Sequence, residues 1–321
     1  MHYKTDTFNS ISMPTACDHH SSLNGKRICI PIYIHPHEYI ESTVTARPSV
    51  YNKSPYVGDI HSEKDNGITH MPSLDLGGKC TPGAAICVTQ KMDKRGHHVK
   101  QEYSKKYGTP ATMYITQLIK CTYSDIWIGA HPSQGEKLFN FYASRNHLPG
   151  FQDVVSIQAE VANVAGCDMR SDFLVKHADG TYTLVEVKTI VDLDRDKSPK
   201  SYVDGLSIFP WGKPRQKDDL TGNKVVSSRA IKHVRELTKI ATQENQDPRY
   251  PKLKTAIVFM VVRNDATAFM PDYRTCPTFH KELIVAKNKG VKIVSYAFNM
   301  KRNGTCPFIS ELPIVYNLST S

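Results

Sequence analysis

Asp172, Glu186 and Lys188 are the residues of this 321-residue chain whose types and spacing most directly suggest chemistry. Two carboxylates converging beside a lysine suit cleavage of a phosphodiester. Carboxylates can hold one or two Mg²⁺ or Mn²⁺ ions, hard cations that prefer oxygen ligands and keep part of their water shell. A metal-bound water becomes a better nucleophile, and the metal steadies the oxygens of an in-line displacement. The lysine would align that water or offset charge developing on phosphate. A plainer reading uses the same residues: half-exposed strands often alternate valine with Glu and Lys in cross-strand ion pairs of small energetic value.

The element that must bring these residues together is a β-hairpin. Arg170–Lys176 and Thr181–Ile190 are rich in branched and apolar residues, and they bracket a turn containing Asp179-Gly180. A three-residue loop Ala178-Asp179-Gly180, with glycine in the left-handed position, predicts that His177 pairs with Thr181. In that register Asp172 falls opposite Glu186. Residues two apart share a face, so Arg170, Asp172, Glu186 and Lys188 project to one side and Phe173, Val185 and Val187 into a core. A slip of one residue would part Asp172 from the Glu186 and Lys188 face.

The order Asp172, then Glu186-Val187-Lys188, resembles the Asp…Glu-X-Lys core of the PD-(D/E)XK nuclease fold. The wider chain is similar to the sugar fermentation stimulation protein A (SfsA) family. The resemblance is carried by Trp127-Ile128-Gly129, Met169–Leu174, Val185–Thr189, Phe209-Pro210, Arg229–Leu237 and Ala256–Asp265. It covers residues 125–316 well and 50–124 loosely. It implies an α/β (α+β) fold class: an OB-like small β-barrel, then a mixed β-sheet flanked by helices in the PD-(D/E)XK manner. It also implies that Glu160 supplements Asp172 and Glu186 as a metal ligand, and that Arg229 and Lys232 hold phosphates near the metal. At one position the chain departs from the pattern, with Ile231 where the family typically has glutamine. The resemblance implies first a DNA-binding protein with a metal-dependent nuclease-like site, and the Ile231 departure fits the alternative, a DNA-binding regulatory protein without cleavage.

A helix from Ser227 or Ser228 to about Gln243 carries Arg229 and Lys232, with Ala230, Val234, Leu237 and Ala241 as its apolar stripe. Arg229, Lys232, His233, Arg235, Glu236 and Lys239 fall on the remaining surface. The long connection from Asp192 to Val226 adds Lys213, Arg215 and Lys217, and loops of such length are usually functional or disordered. From Lys213 to Lys254, eleven basic residues face five acidic ones. Arg170, Arg229, Lys232, His233, Lys213, Arg215 and Lys217 are therefore the candidate nucleic-acid contacts. Such contacts give affinity and register but little sequence choice. An ordinary amphipathic surface helix with solvated charges is the competing reading.

Composition bounds these readings. A net charge of +10 and a pI near 9.1 suggest a polyanionic partner, DNA or RNA. Eight cysteines without a Cys-x-x-Cys spacing argue for reduced thiols in a cytoplasmic or nuclear setting and against a disulfide scaffold. No apolar run approaches the ~20 residues of a membrane span, and no motif for a small-molecule cofactor is evident. A homo-oligomer stays open, as does organelle targeting, because Lys4 precedes a Ser/Thr-rich run poor in acids.

The domain reading is a flexible extension over 1–48, a barrel over 49–124 and the nuclease-like domain over 125–321. In the barrel, Tyr56–Ile60, Ala84–Gln90 and Met113–Tyr123 are the predicted strands. Residues 91–106 cluster Lys91, Lys94, Arg95, Lys100, Lys105 and Lys106 around Tyr103, with Tyr107 next to them. That composition suits stacking of bases along a phosphate backbone, or equally a solvated basic loop. Helices over Glu136–Asn146 and Phe279–Lys289, strands over Lys254–Val262 and Val291–Phe298, and a last β-prone segment Leu312–Tyr316 complete the expected sheet.

Overall fold

The computed structural model describes residues 16–23, 26–63, 65–72, 78–99, 103, 106, 108–242 and 247–318, with backbone alone before residue 31. Lys100, Lys105 and Tyr107 of the basic loop lie outside the described residues. Two strands, β1 (Ala16–Leu23) and β2 (Lys26–Ile34), form an antiparallel hairpin. The barrel strands follow: β3 (Ile40–Ala46), β4 (Val57–His61), β5 (Asn66–His70), β6 (Ala85–Gln90) and β7 (Tyr114–Lys120). Antiparallel pairing joins β6 to β3, β3 to β4, β4 to β5 and β7 to β6. A parallel pairing of β5 with β7 closes the circle. This closed five-stranded, OB-like barrel buries Val44, Ile60, Ile86, Val88 and Ile119 in its interior. Closure removes the open sheet edges that short strands would otherwise expose.

The chain leaves the barrel through β8 (Trp127–Gly129), which extends the sheet beside β7. Then come α1 (Ser133–Ala143), β9 (Val154–Ala162), β10 (Arg170–His177) and β11 (Tyr182–Ile190). A connecting region holds the short helix α2 (Asp194–Lys197) and the strands β12 (Leu206–Phe209), β13 (Gln216–Lys217) and β14 (Lys224–Val225). It is followed by α3 (Ser228–Ala241), β15 (Leu253–Val261), β16 (Ala268–Pro271), α4 (Pro277–Asn288) and β17 (Lys292–Phe298). The strands β18 (Thr305–Cys306) and β19 (Phe308–Glu311) come last. The main sheet runs β19-β17-β15-β11-β10-β9, antiparallel from β9 to β11 and parallel through β11, β15 and β17. Alternation divides its side chains. Val185, Val187, Val258 and Met260 pack under α1, whereas Leu184, Ile190, Ile257 and Phe259 pack under α3 and α4. The result is a sheet with helices on both faces.

Four sequence expectations need correction. Residues 1–48 are not a flexible extension throughout: β3 is a barrel strand, and β2 pairs with β18 near the other end of the chain. The Tyr142 hydroxyl secures that junction, accepting from Tyr33 N–H at 3.2 Å and donating to the Cys306 carbonyl at 2.7 Å. The Asp192–Val226 connection is a series of short elements, because Asp194, Asp218 and Arg263 supply buried anchors that a polar loop reading does not reveal. Neither Ser227 nor Ser228 caps α3 with its hydroxyl; Gln216 Oε1 accepts from Ser228 N–H at 2.8 Å. The last strand is Phe308–Glu311, ahead of the expected segment, because it pairs with the end of β17. The six cysteines with described side chains are all buried. Among the described residues no helix is long and apolar enough to cross a membrane.

Candidate functional site

The β10–β11 turn has the expected form. His177 N–H donates to the Thr181 carbonyl at 2.9 Å, and Gly180 has φ +80°. The ladder runs from Lys176 against Tyr182 to Phe173 against Val185, and then the strands separate. At that fork Asp172 Oδ2 accepts from Val187 N–H at 2.7 Å, so a side chain takes over the backbone's bond. On its other flank, Ser171 pairs with Val161 and Phe173 with Ala159, which sets Glu160 opposite Asp172. Phe173, Val185 and Val187 point into the core under α1.

Glu186 is 2% exposed. Its Oε1 accepts from Lys188 Nζ and from His233 Nδ1, the latter at 2.6 Å. Oε2 is buried with no hydrogen-bond partner. Burial alone would raise the Glu186 carboxyl, but Lys188 and His233 outweigh it and hold the group below its ordinary value. Asp172 goes the other way: burial first and then the negative Glu186 push it up to about 7, against the pull of Lys188. Two carboxylates in one buried fork are thus driven apart in acidity by their different surroundings.

A third acid reaches the fork from α1. Burial and the negative Glu186 raise the Glu136 carboxyl, and its charge also couples to Lys188 and Glu160. Sequence reading missed Glu136, because nothing local marks a first-turn glutamate as facing a strand fifty residues on. It placed His233 on the helix surface, yet His233 is 5% exposed and touches Glu186. The signal was present: His233 lies three residues after Ala230 and four before Leu237, on the buried stripe. Ile231 is fully buried in the core under α3, so the polar contact from α3 to the carboxylates comes from His233.

The other predicted residues fall into two groups. Glu160, at φ +54°, gives its carboxylate to Arg170 Nη2 at 2.6 Å, and both side chains are about half exposed. Holding a non-glycine residue in that conformation costs about 1 kcal/mol and is commonest at functional sites. Arg170, Arg229, Lys232 and His233 line a cleft of ≈ 430 Å³ together with Asp168, which pairs with Lys232 at 2.8 Å. Lys213, Arg215 and Lys217 are exposed on and beside the β13–β14 hairpin, which Asp218 anchors to Arg235 of α3 at 2.5 Å. Arg235 also holds Asp219 and Glu282, and so serves structure. Lys188 and His233 are thus grouped with Asp172 and Glu186, while Lys213, Arg215 and Lys217 stand apart.

Among the described residues no three His, Cys, Asp or Glu side chains are arranged to hold a metal ion. The donor set nonetheless suits a hard divalent cation in part. Glu186 Oε2 is an oxygen donor left unpaired, and the raised Asp172 carboxyl is a charge that a cation would stabilise.

A family model described as the sugar fermentation stimulation protein RE domain matches residues 224–304, from β14 to the turn before β18. The sugar fermentation stimulation protein homolog of Thermosynechococcus vestitus is 24% identical over 178 residues, 56% of this chain and 62% of that protein. The homolog of Natranaerobius thermophilus is 22% identical over 192 residues, 60% of this chain and 67% of its own length. The match to the first of these therefore spans under two thirds of that protein. The structure of Pyrococcus furiosus SfsA in complex with Ca²⁺ superposes with a TM-score of 0.64 at 18% identity, covering 88% of this chain and 98% of that one. That likeness establishes a shared fold.

Proposed function

We propose, on the premise that this chain belongs to the SfsA family, that it binds DNA and hydrolyses its phosphodiester bonds at the β10–β11 fork. One observation carries the reading: Asp172 and Glu186 meet beside Lys188 where the strands part, with Glu186 Oε2 buried and unpaired. Asp172 and Glu186 would hold Mg²⁺ or Mn²⁺, which when bound supplies an activated water and neutralises charge on phosphate. Val187 N–H fixes the Asp172 carboxylate, and His233 fixes Glu186 through its other oxygen. Such outer contacts orient ligands and are needed for affinity. Lys188 stands where it can orient a nucleophile or meet a phosphate oxygen. Arg170, Arg229 and Lys232 line the adjoining cleft, where a backbone phosphate would find cations.

A second reading, a DNA-binding regulator without cleavage, draws on one feature. Lys188 already forms an ion pair with Glu186 through Oε1, and His233 holds the same oxygen, so the Glu186 charge is offset from within the site. A nuclease assay on single- and double-stranded DNA and RNA, with Mg²⁺, Mn²⁺ or EDTA, separates the two. The expected result is metal-dependent cleavage that Lys188→Ala, Asp172→Asn and Glu186→Gln abolish, with DNA affinity kept or raised in the two carboxylate variants, which remove acids near phosphate. Cleavage by Asp172→Asn at the wild-type rate overturns the assignment. Retention of DNA without cleavage by the wild type leaves the regulator.

A further inference from the structure

We infer that the cleft between the β3–β4 and β6–β7 connections of the barrel is a nucleobase site for single-stranded nucleic acid, in which Tyr51 and Tyr103 stack on bases and Asp59 accepts a hydrogen bond from a base amino group. A cleft of ≈ 590 Å³ lies there, lined by Tyr51 of the β3–β4 connection, Asp59 and Ile60 of β4, Gly67 of β5, and Tyr103 and Pro110 of the β6–β7 connection. Tyr51 is 66% exposed and Tyr103 64%, with Val50 also outward beside them. Two aromatic faces left to solvent around one cleft ask for a planar apolar partner.

Asp59 tells which planar partner. The residue is 9% exposed; Oδ2 accepts from Val50 N–H at 2.9 Å and holds the Tyr51 loop in place. Oδ1 is buried and has no partner. A buried carboxylate oxygen without a donor is costly, and the amino groups of adenine and cytosine are donors where thymine presents a carbonyl oxygen. The charges are arranged to match. A carboxylate lines the cleft, while exposed Lys53, Lys94 and Arg95 stand on the same two connections. A carboxylate inside the cleft suits a base and repels a phosphate. A duplex cannot use it, because its bases are already stacked and paired.

This inference rests on the nucleic-acid-binding reading above but uses a site separate from the carboxylate fork. Anisotropy of labelled oligo(dA), oligo(dC) and oligo(dT), and of a duplex, with the full chain in EDTA tests it. Wild type should prefer oligo(dA) and oligo(dC) to oligo(dT). Tyr51→Ala and Tyr103→Ala should each weaken single-strand binding by roughly tenfold and leave duplex binding unchanged, since base stacking has about that value. Tyr51→Phe should restore the affinity. Asp59→Asn still accepts from Val50 N–H and should shift the preference toward oligo(dT). Single-strand affinity untouched by both alanine variants, or a base preference indifferent to Asp59→Asn, overturns the site alone. Failure of the wild type to bind any oligonucleotide overturns the nucleic-acid reading along with it.

Discussion

At the scale of single residues, Asp172 and Glu186 sit in one fork yet titrate in opposite directions. The cause is where the hydrogen-bond donors stand: Lys188 and His233 both engage Glu186, while Asp172 has burial and a negative neighbour. This carries a stability consequence. The folded Asp172 value of about 7 is above its ordinary 3.8, so the folded state binds an extra proton between those limits. Stability therefore falls as pH rises across that window and stays lower above it. Asp172→Asn does not titrate and can still accept from Val187 N–H. In EDTA it should melt higher than wild type at pH 8, by on the order of 1–3 kcal/mol, and match wild type near pH 4. Thermal melts at both pH values check this; an equal difference at each would sink it. Functional carboxylates commonly cost stability in this way.

At the scale of elements, the β10–β11 hairpin was legible because its determinants are local. Asp179-Gly180 sets a three-residue turn, the turn sets the register, and period-two alternation assigns the faces. The α3 stripe was legible for the same reason, apart from His233, whose polarity hid its buried position. The strands β3 and β5 escaped notice, since Ser, Thr, Asn and Gly leave them weak apolar signals. Barrel closure supplies their pairing instead. The cleft beside α3 belongs to this scale too. Arg229 is exposed at its wall and contributes charge to it. Arg229→Ala should weaken DNA binding similarly for all sequences and lower the salt slope of log Kd by about one. Titrations at several salt concentrations measure both, and an unchanged slope would place the phosphate elsewhere.

At the scale of the molecule, barrel and sheet are joined by buried ion pairs. Arg263 is fully buried. It donates to Asp265 at 2.6 and 2.8 Å, to Asp196 at 2.8 Å, to the Val191 carbonyl at 2.9 Å and to the Tyr123 hydroxyl at 2.9 Å. Lys79, from the barrel side, meets Asp192 and Asp196, each at 2.8 Å. Removing one member leaves buried charge uncompensated, so Arg263→Met should destabilise the protein by about 3–5 kcal/mol. Denaturant titration measures it, and a loss under about 1 kcal/mol would mean the network is solvated. The network also sets an acid limit. Burial pushes the Asp196 carboxyl up, but Arg263 and Lys79 outweigh it and hold it below 3.8. Its contribution is complete above that value and is lost as pH falls below it.

The sequence by itself determined the hairpin, its register, the placing of Asp172 across from Glu186 and the basic character of the segment that follows, because each depends on neighbours a few residues apart. Tertiary structure decided what lies far apart in the chain. It closed β5 on β7, tied β2 to β18, and brought His233 to Glu186 across 47 positions and Arg263 to Tyr123 across 140. It also left Glu186 Oε2 and Asp59 Oδ1 buried without partners. Composition and spacing carry no information about such contacts, since they form only when separate elements pack and water is excluded between them.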